Sequence, residues 1–169
     1  LFQKSPVISF RSIELIVNSK SNFKSQYTKQ LIRNLIKSGK IKTLTKGYYT
    51  SIDETSLAVF CFKPSYMGLQ DALSFHNLWD QETISIIITS RKIRPGIRQV
   101  LGKNVLIKRL NKKYLFGFGH YEQGNLYLTY SDIEKTFIDM IYFNEEITKE
   151  VLDNIKARIN LKKLNSYLK

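Results

Sequence analysis

The stretch Lys24-Ser25-Gln26-Tyr27-Thr28-Lys29-Gln30-Leu31-Ile32-Arg33-Asn34-Leu35-Ile36-Lys37-Ser38-Gly39-Lys40-Ile41-Lys42-Thr43-Leu44-Thr45-Lys46-Gly47-Tyr48-Tyr49-Thr50 decides how the chain is read. With Phe23 just before it, its first part carries apolar residues at three- and four-residue spacing, Tyr27, Leu31, Ile32, Leu35 and Ile36, which predicts an amphipathic helix with one buried stripe. Gly39 is the expected stop, because glycine adopts the left-handed conformation that closes a helix. The second part, Lys40 to Thr50, predicts a two-stranded hairpin turning at Gly47, with Lys40, Lys42 and Lys46 along its exposed edge.

Upstream, Phe10-Arg11-Ser12-Ile13-Glu14-Leu15-Ile16-Val17 predicts a short helix, and the polar run Asn18 to Asn22 a turn after it. Helix, turn, helix and basic hairpin in that order describe a winged helix-turn-helix. The second helix is then the one that points its N-terminal residues into the major groove. Ser25, Gln26, Lys29 and Gln30 are the candidates for reading base edges. Lys24, Arg33, Lys37 and the hairpin lysines Lys40, Lys42 and Lys46 are placed for phosphates.

Charge agrees with that division. The chain has 169 residues and a net charge of +13. Residues 1–50 hold ten Lys and Arg against the single acid Glu14, so +9 of the excess lies in the first 30% of the chain. A phosphate-binding module joined to a more neutral domain produces such an asymmetry. Double-stranded DNA is the expected partner.

After Asp53-Glu54 the composition shifts, and the expected organisation is α+β: a winged helix over 1–52, then a mixed α/β domain over 53–169 with a small sheet flanked by helices. Helices are expected at Thr55 to Phe62 and Tyr66 to Trp79, and a buried strand at Thr83 to Thr89, whose isoleucines suit a strand covered on both faces. Val105 to Leu110 predicts another strand. Tyr114 to Tyr130 predicts a hairpin turning at 122–125, with Tyr114, Phe116 and Phe118 on one face of its first arm. Arg91 to Arg98 reads as a solvated basic loop. Ser131-Asp132-Ile133-Glu134 is a capping-box sequence that starts a helix burying Ile133, Phe137, Met140 and Ile141, and one last helical stretch runs from Thr148 to Leu168.

The sequence holds no recognisable catalytic constellation. Asp132, Glu134 and Asp139 form the acidic cluster that tempts a catalytic assignment, yet on a helix Glu134 and Asp139 diverge by about 140°, and Asp132 and Asp139 lie about 10 Å apart along the axis. No Glu-x-Lys or Asp-x-Lys pair of the nuclease type occurs. His76 and His120 lack partners at metal-ligand spacing, Gly117-x-Gly119 does not open a helix, and no phosphate loop or nucleophile elbow is present. No cofactor or metal is expected, and an enzyme is not expected. The lone Cys61, the lack of a leader pattern and the short apolar runs predict a cytoplasmic chain with no membrane partner. A start at Leu1 instead of methionine leads to the expectation of a trimmed N-terminus.

Three stretches in order carry a family resemblance. Leu31 to Ile41 leads into Lys46-Gly47-Tyr48-Tyr49, Asp71-Ala72-Leu73-Ser74-Phe75-His76-Asn77-Leu78 follows, and Tyr130-Ser131-Asp132-Ile133-Glu134-Lys135-Thr136-Phe137-Ile138-Asp139 comes last. With them, nearly the whole chain resembles the AbiEi antitoxin family of transcriptional regulators from bacterial abortive-infection, type IV toxin–antitoxin, systems. The resemblance implies a repressor that binds inverted repeats in its own promoter through the winged helix. It also implies antitoxin activity of the second domain against a nucleotidyltransferase-like toxin. Two other classes remain as alternatives: a module whose basic face meets an acidic protein, and a metal-dependent nuclease or nucleotidyltransferase acting through Asp132 and Glu134.

Overall fold

The computed structural model describes residues 5–20 and 25–169. They form a mixed α/β chain in two compact units. The first runs to Cys61 and includes Gln99–Lys103; the second comprises Phe62–Arg98 and Asn104–Lys169. The boundary expected at 52/53 therefore falls near 61/62, because the 3-10 helix Thr55–Phe62 is grouped almost wholly with the first unit.

In the first unit, strand β1 (Ile8–Ser9) leads directly into helix α1 (Phe10–Lys20), followed by helix α2 (Ser25–Lys37) and strands β2 (Lys42–Thr45) and β3 (Tyr48–Thr50). β3 lies between β1 and β2 in an antiparallel sheet, with Ile8 opposite Tyr49 and Lys42 opposite Thr50. Phe10, Ile13 and Val17 recur at helical spacing on α1 and meet Ile8, Ile32, Leu35, Ile41 and Tyr49 in one cluster. α1 continues through Asn18-Ser19-Lys20, which had been expected to turn. Ser19 there turns its hydroxyl back to donate to the Ile16 carbonyl, at 2.8 Å, so a polar residue is accommodated in the last turn.

The buried side of α2 is narrower than its apolar pattern predicts. Thr28 and Ile32 are buried and Leu31 and Leu35 half-buried, whereas Tyr27 and Ile36 are 47% and 39% exposed. At about 100° per residue, Thr28, Leu31, Ile32 and Leu35 share one side, and Tyr27 and Ile36 fall on its two margins. Phe23 lies outside the described residues. α2 stops as expected: Gly39 sits at φ +68°, the Gly39 N–H donates to the Ile36 carbonyl and the Lys40 N–H to the Leu35 carbonyl, both at 3.0 Å.

The second unit begins with strand β4 (Ser65–Met67), helix α3 (Leu69–Phe75), and strands β5 (Ser85–Thr89), β6 (Gly96–Val100) and β7 (Lys103–Arg109), of which the adjoining ends, Gln99, Val100 and Lys103, are grouped with the first unit. Strands β8 (Phe118–Gln123) and β9 (Leu126–Ser131) and helices α4 (Ile133–Tyr142), α5 (Lys149–Arg158) and α6 (Leu161–Tyr167) complete it. The six-stranded sheet has the order β6-β7-β5-β4-β9-β8. β5 runs parallel to β7 and antiparallel to β4, and β4 runs parallel to β9. Ile86, Ile87 and Ile88 are all buried, as the isoleucine run predicts for an interior strand.

Several elements differ from expectation. Tyr66 and Met67 belong to a central strand, and the helix starts only after Gly68. A Cβ at Gly68 would stand 2.5 Å from Ile88 Cδ1, so any side chain there would force the buried end of Ile88 to shift. Residues 96–98 of the basic stretch are strand, not loop. The first hairpin arm starts at Phe118: Lys112–Tyr114 is a 3-10 turn, and Gly117 at φ +67° breaks the chain before β8, so Tyr114, Phe116 and Phe118 do not share a strand face. The last helical stretch divides at Ile159-Asn160, where the Asn160 side chain accepts from the Lys163 N–H and starts α6.

Helix α4 departs furthest. Its buried positions include Lys135, Thr136, Asp139 and Met140, while Ile141 is 60% exposed. The Lys135 ammonium pairs with Asp139 Oδ1 one turn on, and the Tyr66 hydroxyl donates to Asp139 Oδ2 at 2.7 Å. The Phe116 ring lies 4.8 Å from the Lys135 nitrogen. Burial pushes the Asp139 carboxyl upward, and Lys135 and Tyr66 pull it down without restoring its usual value.

This pair yields a stability prediction. K135M leaves a buried, uncompensated carboxylate and should cost about 3–5 kcal/mol. K135M/D139N removes both charges, keeps an acceptor for Tyr66, and should recover most of the loss. Urea unfolding of both variants measures it, and equal destabilisation by the two would contradict the pairing.

Candidate nucleic-acid interface

Burial of Thr28, Ile32 and Leu35 turns the other side of α2 to solvent. Gln26, Lys29, Gln30, Arg33 and Lys37 are all exposed. On a regular helix they fall within about 100° of arc over about 16 Å of axis. No carboxylate stands on α2. Within this surface Gln30 Nε2 donates to Asn34 Oδ1 at 3.1 Å, one turn on. Gln30 thus has one amide proton engaged and its carbonyl oxygen available to a base edge. Lys24 and the side chain of Ser25 lie outside the described residues.

The hairpin places its lysines differently from one another. Lys46 occupies the turn, exposed, beside Gly47 at φ +82°, whose carbonyl accepts from the Phe10 N–H at 2.7 Å and ties the turn to the start of α1. Lys40 follows Gly39 at the exit of α2 and is exposed. Lys42 is exposed too, but its ammonium pairs with Asp53 at 2.7 Å. Both partners are largely solvated, so the pair is worth little and can be exchanged for a phosphate. Asp53 was not anticipated as a member of this surface: ten residues separate it from Lys42, and nothing in the pattern of the hairpin signals the contact.

A scan of protein-family models and a search of curated proteins return no match for this chain.

Asp132 and Glu134, the pair considered for catalysis, are held by the C-terminal segment. Asp132, not Ser131, caps α4, with Oδ1 accepting from the Lys135 N–H at 2.8 Å, and its Oδ2 accepts from the Tyr167 hydroxyl at 2.8 Å. Ser131 shares a hydrogen bond with the Thr136 hydroxyl. Glu134 does not reach back to Ser131 as a capping box requires; its Oε1 accepts from the Asn160 N–H at 2.8 Å, at the start of α6. Lys163 bridges the two carboxylates at 3.0 and 3.2 Å. Capping preference explains the change: aspartate caps as well as serine, and it sits one residue nearer the helix. The cluster fastens α6 to α4.

His76 donates Nε2–H to the Ser131 carbonyl at 2.8 Å, and burial lowers its pKa. Cys61 is buried. Among the described residues no group of three or more His, Cys, Asp or Glu side chains is placed to hold a metal ion, and no helix is long and apolar enough to cross a membrane.

Two outcomes follow from these arrangements. Burial alone would raise the Glu134 pKa, but the Asn160 N–H and Lys163 bring it below 4.5. Its contribution to stability is then complete above about that pH and is lost as pH falls through the lower folded value. The stability gap between the wild type and E134Q should accordingly shrink on acidification below pH 4.5, which chemical unfolding at a series of pH values would measure. At the hairpin, D53N frees Lys42 and removes a negative charge. It should tighten binding to duplex DNA and steepen the salt dependence, by up to about 0.9 in log–log slope for one added phosphate contact. Fluorescence anisotropy across a salt series is the check, and unchanged affinity would show that Lys42 does not meet phosphate.

Proposed function

We propose that this protein is a DNA-binding transcriptional regulator whose first unit is a winged helix-turn-helix, with α2 as the recognition helix and the β2–β3 hairpin as the wing. One observation carries the reading: the exposed side of α2 gathers Gln26, Lys29, Gln30, Arg33 and Lys37 with no carboxylate among them. Its support includes the element order, strand, helix, helix and hairpin, with the leading strand β1 joined to β3 in the sheet. The amide side chains Gln26 and Gln30 are of the kind that pairs with adenine edges, and Lys29 and Arg33 of the kind that meets guanine or phosphate. Lys37, Lys40, Lys42 and Lys46 are placed to supply sequence-independent affinity.

On this reading the second unit senses or binds and does no chemistry, since Asp132, Glu134 and Asp139 are engaged in capping and pairing. The resemblance to AbiEi regulators extends the proposal to repression of the chain's own operon at inverted repeats. It also extends it to neutralisation of a nucleotidyltransferase-like toxin. Coexpression with such a toxin tests that extension separately from DNA binding.

For the DNA reading, K46A should weaken binding about equally across sequences and lower the salt slope by about one. Q30A should instead relax preference at one base pair, with a loss of about 1–3 kcal/mol on the preferred operator. Electrophoretic shift titrations on the upstream region of the gene and on a scrambled duplex distinguish the two behaviours. Identical, salt-insensitive binding of wild type and both variants would remove the assignment of these faces.

A further inference from the structure

The second unit contains a pocket of about 720 Å³ that the reading above does not use. β5 and β7 run parallel with Thr89 opposite Arg109, so the segments that leave their C-terminal ends emerge side by side. The Leu110 N–H donates to the Thr89 carbonyl at 2.9 Å and holds the two exits together. Ligands of α/β sheets commonly occupy the crevice at this end of parallel strands. Here the first exit supplies Lys92 and Arg94, the second Arg109, Asn111 and Lys112, and α4 supplies Tyr142.

The charge of this concavity is unusual for the unit. Four cations line it and no carboxylate does. Among the described residues none of the four forms an ion pair, whereas Lys108, the immediate neighbour of Arg109, is paired with Glu145 at 2.7 Å. Like charges gathered in a concave wall focus a positive field into the pocket, which an anion relieves. Two arginines among them offer planar forks suited to phosphate oxygens. Tyr142, 52% exposed, adds an aromatic surface on which a base can stack, its own ring steadied by Tyr114 at 5.6 Å. The volume falls in the range of about 300–1,000 Å³ that small-molecule and cofactor sites occupy. A duplex is a convex cylinder and cannot enter it.

We propose that this pocket binds a nucleoside polyphosphate, with Lys92, Arg94, Arg109 and Lys112 around the phosphates and the base against Tyr142. A free nucleotide and the 5′-triphosphate end of an RNA share this chemistry. The test uses the full chain in calorimetric titrations with ATP, GTP, sodium tripolyphosphate, and one oligoribonucleotide carrying either a 5′-triphosphate or a 5′-hydroxyl. Saturable binding of a nucleoside triphosphate or of the triphosphorylated RNA is expected, and the tighter of the two names the source. R109A/K112A and, independently, K92A/R94A should weaken it by about tenfold or more, the effect of losing two charge-assisted contacts. Y142A should weaken nucleotide binding and leave tripolyphosphate unchanged. K29A/R33A, on α2, should leave the binding of ATP, GTP and tripolyphosphate as in the wild type, which separates this site from the DNA reading. The proposal is overturned by the absence of saturable binding at millimolar ligand. It is overturned equally by full binding in both pocket double variants with unaltered thermal melts, or by failure of ATP and GTP to bind together with equal affinity for the 5′-hydroxyl and 5′-triphosphate RNAs.

Discussion

Helix α2 must bury Ile32 against Ile8, Ile13 and Ile41, and the orientation of everything else on that helix follows. An α-helix has no freedom to turn one residue without turning the rest, so once Thr28, Ile32 and Leu35 are committed inward, the polar residues between them are committed outward as a group. The sheet supports the arrangement from the other side: β1 and β3 present Ile8 and Tyr49 to the same cluster, and the turn carrying Lys46 is fastened through the Gly47 carbonyl to Phe10. A small apolar cluster thereby fixes the place of a cationic helix side and a cationic turn within one unit. Rigid presentation of that kind lowers the entropy that a phosphate-binding surface loses on association.

Pairing, more than net charge, distinguishes the cations of this chain. In the second unit Lys108, Lys135 and Lys163 each meet a carboxylate, and each of these contacts joins or reinforces elements of the fold. Lys135 and Asp139 go further and are buried outright, with Tyr66 and Phe116 completing their surroundings. Gly117 allows that packing, because a Cβ there would stand 2.8 Å from Lys135 Cβ and 2.9 Å from the Tyr167 ring. Such lysines are committed to structure. Lys29, Arg33, Lys37 and Lys46 on the first unit, and Lys92, Arg94, Arg109 and Lys112 on the second, form no ion pair among the described residues, and they are the groups that the two proposals above assign to external anions.

The sequence made the first unit largely legible because its elements follow single rules. Gly39 ends α2 where a left-handed residue is needed, the Lys46-Gly47 turn separates two β-branched and aromatic runs, and the isoleucines of β5 leave one interpretation. Elsewhere local pattern was outweighed by tertiary contact. Tyr66 and Met67 fit a helix as well as a strand, and the interior of the sheet between β5 and β9 decides for the strand. Lys135 and Asp139 defeat any apolar periodicity, since a method that places charge outside turns α4 toward Ile141, which is exposed. The link between Lys42 and Asp53 and the pocket between two parallel exits depend on residues far apart in the chain, and no spacing rule reports them. The α2 surface was readable because one helix carries it; the pocket was not, because three elements assemble it.

The two unpaired cation groups differ in shape, and shape decides what each can recognise. The α2 side is convex and about 16 Å long, its charges following an axis. That geometry suits a groove whose walls are themselves rows of phosphates, and it gains little from a small anion, which could touch only one or two of its charges at a time. The pocket at β5 and β7 is concave, so its four charges converge on one volume and a compact polyanion can meet them together. For the same total charge, convergence favours a ligand that carries several negative charges on adjacent atoms, and dispersion favours one that repeats them along a line. A chain that merely needed a high isoelectric point could have scattered these residues. Their sorting into a line and a cup is the physical reason for assigning them to two different ligands.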